Sequence, residues 1–215
     1  MDIGCGICGP GIELVKTFHA KKVTGIDLEP EQIARANRNI EQSGVKEKIL
    51  TMHVKHGPLP FEVNTFDIVF SKDSLNEARN KKEVFLEIFR VLKPGGWFVA
   101  SDWMKGDGEL TREFRLWVQS ADVPFEFETI SGTKSMLENI GFSNVVVKNR
   151  NLWYREEARD ELAKIEGSLW ERLVDIQHDE QIVRESAEFW RIMIKLLDSG
   201  EFCPAHIRAQ KIKEK

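Results

Sequence analysis

Residues 1–11 read MDIGCGICGPG, and two spacings overlap in them. Gly4, Gly6 and Gly9 stand as G-x-G-x-x-G, while Cys5 and Cys8 stand as C-x-x-C. The first spacing belongs to a tight turn where backbone amides approach a nucleotide; the second belongs to a redox pair or half a zinc site. A zinc site needs two further ligands. Cys203 is the only other cysteine, and His19, His53, His56, His178 and His206 are scattered without paired spacing. No metal set is expected. The glycines, in contrast, have a context. Asp2 precedes them, and an amphipathic stretch with Ile12, Val15 and Phe18 follows. KVTGID (Lys22–Asp27) then reads as a buried strand ending on an acid. In dinucleotide-type folds the acid after the second strand accepts hydrogen bonds from ribose hydroxyls. Its alternative here is a cap on the next helix.

The bulk numbers narrow the classes further. The chain has 215 residues, 41% hydrophobic and 31% charged, with a formal net charge of −4. That is a globular composition with length for one real core. Its acidic balance argues against nucleic acid or an anionic membrane as partner. No apolar run has the ~20 residues of a membrane span, and the start lacks the charged-then-apolar pattern of a secretory signal. Three cysteines make no disulfide framework. A cytoplasmic protein acting on a small molecule is the expectation.

Working outward from the turn, strand-like and helix-like stretches alternate. Pro30 opens a second helix with Ile33, Ala34, Ala36 and Ile40 on one side. KILTMHV is a third strand and FDIVFS (Phe66–Ser71) a fourth. KKEVFLEIFRVL is a helix with Val84, Phe85, Ile88, Phe89 and Leu92 inward, stopped by KPGG (Lys93–Gly96), and WFVASD is a fifth strand. This alternation predicts an α/β Rossmann-like three-layer sandwich with a mostly parallel sheet. Beyond it, ELTREFRLWVQS and GTKSMLENIGF read as helices, the second ending at Gly141, and NVVVKN as a sixth strand. Trp153 to Asp198 is helical, with a stripe of Leu162, Ile165, Leu169, Leu173 and Ile176. PAHIRAQK closes the sheet as an antiparallel edge. One domain over residues 1–215 is expected. Its cofactor-binding half is 1–105, and its substrate-side half, 106–215, carries a helical insertion before the last strand.

Four motifs in order carry a family resemblance. Asp2-x-Gly4-x-Gly6, GIDLEPEQIARA, FDIVFSKDSL and VLKPGGWFVASDW resemble class I S-adenosylmethionine-dependent methyltransferases over residues 1–105. SKDSL followed by SDW, and the closing IRAQK, look most like the phosphoethanolamine and sarcosine/dimethylglycine N-methyltransferases. The resemblance implies S-adenosyl-L-methionine as cofactor. Gly4, Cys5 and Gly6 would lie under its methionine part, with Asp2 orienting the turn or the amino group. Asp27 would hold the ribose, Leu28 would pack on adenine, and Ser71 and Lys72 would pass the cofactor at the fourth strand. Asp73 would edge the substrate pocket.

Asp73 and Asp102 also stand at carboxyl ends of predicted parallel strands, where ligands of such sheets bind. They are the expected acids for orienting an amine or taking its proton, with Asp73 as the catalytic candidate. Trp103 and Trp117 could cage a developing ammonium by cation–π attraction. Departures from the family stand beside these matches. Cys8 replaces its third glycine, and HVKHGPLPF offers Lys55 and His56 where an acid meets the adenine amino group. Trp103, Trp117, Ala121 and Val123 replace the tyrosines and arginine that bind phosphate, and Glu126 or Glu128 its histidine. Phosphate binding is therefore not expected.

A central parallel strand has about five residues before its turn, yet only Met1, Asp2 and Ile3 stand here. The expectation is a fragment or mis-started frame of a longer enzyme, or a degenerate relative. The expected activity is methyl transfer to a small molecule at an amine nitrogen, with oxygen or carbon acceptors and a non-catalytic cofactor binder as the alternatives.

Overall fold

The computed structural model describes residues 1–120 and 125–212. Its strands are β1 (Asp2–Ile3), β2 (Val23–Asp27), β3 (Ile49–His53), β4 (Phe66–Lys72), β5 (Leu92–Asp102), β6 (Ser143–Asn149) and β7 (Ala205–Gln210). They form one sheet in the order β3-β2-β1-β4-β5-β7-β6. The five strands from the first half run parallel, and β7 is antiparallel to both β5 and β6. The order reverses between β1 and β4, which opens a crevice at their carboxyl ends.

The helices are α1 (Gly9–Lys16), α2 (Pro30–Gln42), α3 (Lys81–Val91), α4 (Arg112–Ser120), α5 (Ile130–Ile140), α6 (Asn151–Glu166), α7 (Trp170–Gln177) and α8 (Glu180–Ser199). Their ends carry recognisable signals. Pro10 and Pro30 stand in the first turns of α1 and α2. The Asn80 side chain accepts from Glu83 N–H at 3.2 Å, and Thr129 Oγ1 from Gly132 N–H at 2.9 Å. Gly141 and Gly200 end α5 and α8 in the left-handed region.

Register fixes the layers. Asp2 pairs with both Gly25 and Phe70, so Val23 and Ile49 share a face with Phe70, while Val69 and Phe98 point the other way. Val23 and Ile49 pack with Val15 of α1 and with Ala36 and Ile40 of α2. Val69, Phe98 and Ile207 pack with Phe85 and Ile88 of α3 and Leu137 of α5. A separate aromatic cluster joins Phe114 and Trp117 of α4 to Leu196 and Leu197 of α8 and to Phe202.

Five expectations are corrected. β7 is an interior strand between β5 and β6, because the chain returns from α8 into the gap between them. Lys93–Gly96 lies inside β5, α3 having ended at Val91. Phe18 (70% exposed) falls beyond the end of α1, and Ile176 (58%) points off the stripe of α7. Ala34 is exposed beside the buried Ala36.

Candidate functional site

The turn after β1 is shaped by backbone conformations that its residues must adopt. Gly4, Gly6 and Cys8 have φ of 67°, 50° and 63°. Gly4 and Cys5 N–H both donate to Ile26 O, at 2.9 and 3.0 Å, which ties the turn to β2. A Cβ on Gly4 would stand 2.3 Å from Ser74 Oγ, whereas a Cβ on Gly6 would meet no protein atom within 4 Å. Gly4 is therefore closed in by the β4 side, and Gly6 opens onto the cleft. We expect Gly4→Ala to lower stability by about 2–3 kcal/mol, from overpacking and left-handed strain together. Gly6→Ala should cost only about 1 kcal/mol. Thermal melts of the two variants check this ordering.

Asp27 makes the second fixed point. Its Oδ2 accepts from Gly6 N–H at 2.8 Å and its Oδ1 from Glu29 N–H at 3.0 Å. Each oxygen keeps a lone pair for a further donor. Asp27 thus steadies the entry to α2 and braces the glycine turn at once.

A cleft of about 810 Å³ lies over these groups. Gly4, Gly6, Asp27, Leu28, Lys72 and Asp73 line it. These six of the expected site residues are thus brought together at the carboxyl ends of β1, β2 and β4. Asp73 takes a left-handed φ of 54°, and its carboxylate accepts from Ser101 Oγ at 2.8 Å and Lys72 Nζ at 2.7 Å. Leu28 is 40% exposed on the wall. Lys55, His56, Pro58 and Leu59 form the side below β3.

Five expected residues are not on that wall, and a sixth, Trp103, stands apart from it. Ser71 is buried, its hydroxyl donating to Ile3 O at 3.0 Å beside Ser74 Oγ at 2.8 Å, so it pins the turn from beneath. Cys5 is packed against Gly25, where a Cβ would stand 2.9 Å from its Sγ. Asp2 is buried under the turn near Gly11 at the start of α1, and its Oδ2 has no hydrogen-bond partner. Burial pushes its carboxyl up to about 7. Asp102 is buried too. It accepts from Asn76 N–H at 3.0 Å and Lys81 Nζ at 3.1 Å, and Lys81 Nζ also donates to Leu75 O at 2.8 Å. Trp117 packs among Phe114, Phe125, Phe127, Phe189 and Phe202. Trp103, partly exposed, stacks on Phe202 and meets Tyr154 edge-on. Ala121 and Val123 lie outside the described residues.

The cysteines are held by packing. Cys8 is fully buried with Val15, Val23 and Ile40, and Cys5 is buried beside it. The hydrogen bond between the two thiols pushes Cys5 up and Cys8 down, while burial disfavours the thiolate at both. Among the described residues no cluster of His, Cys, Asp and Glu could hold a metal. The left-handed φ of Cys8 explains why glycine fits there. We expect Cys8→Gly to change stability by no more than about 1 kcal/mol, since relief of strain offsets the lost burial of sulfur. Calorimetric affinity for S-adenosylhomocysteine should be preserved; a clear loss would show that the thiol shapes the turn.

Glu77 escaped the sequence reading. It ends a 3-10 turn, Leu75–Glu77, on the cleft wall. That turn is held by Asp102 and Lys81. Burial, then the charges of Asp27, Asp102 and Glu29, push the Glu77 carboxyl up from the usual range. Its signal was visible only as a carboxylate shortly after SKDS; its neighbours come from three other elements.

A reversed-order parallel sheet, a glycine turn braced by an acid on β2 and a cleft at the carboxyl ends define a Rossmann-like nucleotide-cofactor domain. Residues 1–100 match the methyltransferase domain family. Among curated relatives, the sterol 24-C-methyltransferase of Aspergillus fumigatus is 32% identical over 163 residues, which is 74% of this chain and 42% of that protein. The phosphoethanolamine N-methyltransferase of Triticum aestivum is 27% identical over 203 residues, 94% of this chain and 38% of that one. The chain thus spans less than half the length of these relatives. In fold, it is similar to phosphoethanolamine N-methyltransferase 2 of Haemonchus contortus, solved with phosphomonomethylethanolamine and S-adenosylhomocysteine. The TM-score is 0.88 at 22% identity, covering 99% of this chain and 48% of that one.

Residues 1–100 thus carry a methyltransferase domain, and neighbours in fold are solved with S-adenosylmethionine or S-adenosylhomocysteine. The residues present fit that cofactor. Gly6 offers room where a side chain would intrude, Asp27 has lone pairs free for a diol, and Asp2 holds a buried, unpartnered carboxylate oxygen near the turn.

Proposed function

We propose that the protein transfers a methyl group to the nitrogen of a small amine. The observation that carries this reading is the acidic balance of the cleft wall. Asp27, Glu29, Asp73, Glu77, Glu83 and Glu87 line it against the cations Lys55, Lys72 and Arg79, and the charge of Glu29 acts on Glu77. Such a wall attracts cations, which suits an ammonium-bearing acceptor more than a neutral or anionic one.

S-adenosylmethionine supplies an electrophilic methyl group on a sulfonium, so the protein's task is mainly to position the acceptor and exclude water. The glycine turn and Asp27 hold the methionine and ribose parts, and Leu28 covers adenine. An amine attacks only when neutral. Glu77, with its raised carboxyl pKa, is suited to hold the ammonium and take up its proton. Asp73, fixed by Ser101 and Lys72, sets the acceptor side of the cleft.

We expect Glu77→Gln to lower the turnover of an amine acceptor by about 100-fold and to remove the limb of its pH profile that this carboxyl sets. Affinity for S-adenosylhomocysteine should change little. The test of the reading is transfer of a labelled methyl group to a panel of primary and secondary alkylamines alongside a sterol. Label on the amines supports nitrogen as acceptor. Label on the sterol alone would replace it with carbon, as in the fungal relative.

A further inference from the structure

A second cavity of about 720 Å³ lies beyond the end of β5. It is walled by the residues around Lys105, by the β6–α6 junction and by the segment leading into β7, and it shares no lining residue with the cofactor cleft. Its size suits a small organic ligand.

Two cations, Arg150 and Lys105, share this wall with one carboxylate, Asp107. Arg150 is fixed at the junction by its backbone N–H bond to Pro204 O at 2.8 Å, and its guanidinium lies 5.4 Å from the Trp153 ring centroid. Its Nε is buried without a hydrogen-bond acceptor. Among the described residues neither Arg150 nor Lys105 joins an ion pair, although Arg155 and Arg159, a turn or so along α6, both reach Asp198. An orphaned buried donor costs on the order of 1–3 kcal/mol unless something accepts from it.

The other polar groups of the wall are already occupied. Asn151 Nδ2 donates to Leu197 O and Phe202 O at 2.9 and 2.7 Å, and Asn149 Oδ1 accepts from Asn151 N–H at 2.7 Å. Asp107, exposed at the rim, accepts from Ser131 Oγ at 2.9 Å. The rest is apolar: Ile130, Leu152 and the Trp153 indole. Leu152 is 76% exposed and Trp153 47%, an apolar surface that a ligand would cover. His206, also near Arg150, is held below its usual pKa by burial and by the charges of Arg150 and Lys148, against the pull of Asp73.

We propose that this cavity binds a small organic anion, with Arg150 and Lys105 taking its carboxylate or phosphate and Trp153, Ile130 and Leu152 its apolar body. An acceptor oxygen would satisfy the buried Nε, and a planar fork suits either oxyanion. The inference is independent of methyl transfer, since it uses none of the residues of the cofactor cleft.

Calorimetric titration of the full chain with benzoate, phenyl phosphate and inorganic phosphate tests it. Benzoate or phenyl phosphate should bind, and the tighter of the two identifies the preferred head group. Arg150→Gln and Lys105→Gln should each weaken binding by about ten-fold or more. Trp153→Ala should weaken the two aromatic anions and leave inorganic phosphate unchanged. S-adenosylhomocysteine affinity should be unaltered in Arg150→Gln, and its melting temperature should not fall, since the change removes an orphaned buried donor and no ion pair found among the described residues. Absence of binding for all three anions would overturn the proposal. So would unchanged affinity in both charge variants.

Discussion

Replacing Asp2 by asparagine is expected to stabilise the ligand-free protein above pH 7, by at most about 4 kcal/mol. The carboxyl is buried beneath the glycine turn with an unpartnered oxygen, and burial pushes it from 3.8 to about 7. Between those values the native state keeps a proton that the unfolded chain has lost. Stability therefore falls as pH rises from about 4 to about 7 and is flat above. The neutral amide of the variant does not titrate, so this part of the profile should vanish, as denaturant unfolding across that range would record. The cost has a use. An ionised carboxylate close to the turn favours a cationic ligand, at roughly 1–2 kcal/mol. S-adenosylhomocysteine should bind Asp2→Asn about as well as the wild type at pH 6, and about ten-fold more weakly at pH 8. Equal affinities at both values would mean that Asp2 serves the turn and not the ligand.

Lys81→Met should damage the fold more than either glycine-turn substitution. Lys81 and Asp102 are 8% and 3% exposed, and their pair holds the 3-10 turn that carries Glu77. Removing the cation leaves a buried carboxylate uncompensated, at about 3–5 kcal/mol. For a chain of this size that lowers the melting temperature by roughly 10 °C. Adding Asp102→Asn should restore much of it, because the stranded charge is gone. Full additivity in the double variant would show that the two groups do not act as a pair.

The parts legible in the sequence were those written locally. Positive-φ glycines, a strand ending on Asp27, first-turn prolines and Gly141 after α5 each announce themselves within a few residues. The mostly parallel run of β1 to β5 followed from the strand and helix patterns, although no helix stands between β3 and β4. What escaped depended on distant partners. Asp102 stands at the end of a strand like Asp73, but Lys81 and Asn76 N–H, brought from the preceding helix and turn, draw it inward. Ser71 alternates away from the cleft because its register with Ile3 places it beneath the turn. Trp117 is drawn into an aromatic cluster assembled from α4, α8 and the Phe202 segment. β7 looked like an edge because nothing local shows that the chain will insert between β5 and β6. The same reasoning accounts for Glu77, whose setting depends on Asp27, Glu29 and Asp102 together.

The central claim is that the glycine turn and Asp27 form the S-adenosylmethionine site. Calorimetric titration of S-adenosylhomocysteine into the wild type and Asp27→Ala tests it most directly. Asp27 braces Gly6 N–H and Glu29 N–H and keeps lone pairs for the ribose, so its removal should weaken binding by about 10- to 100-fold. The account predicts one site per wild-type chain and that loss in the variant. No binding to a cooperatively folded wild type, or undiminished binding to Asp27→Ala, would contradict it.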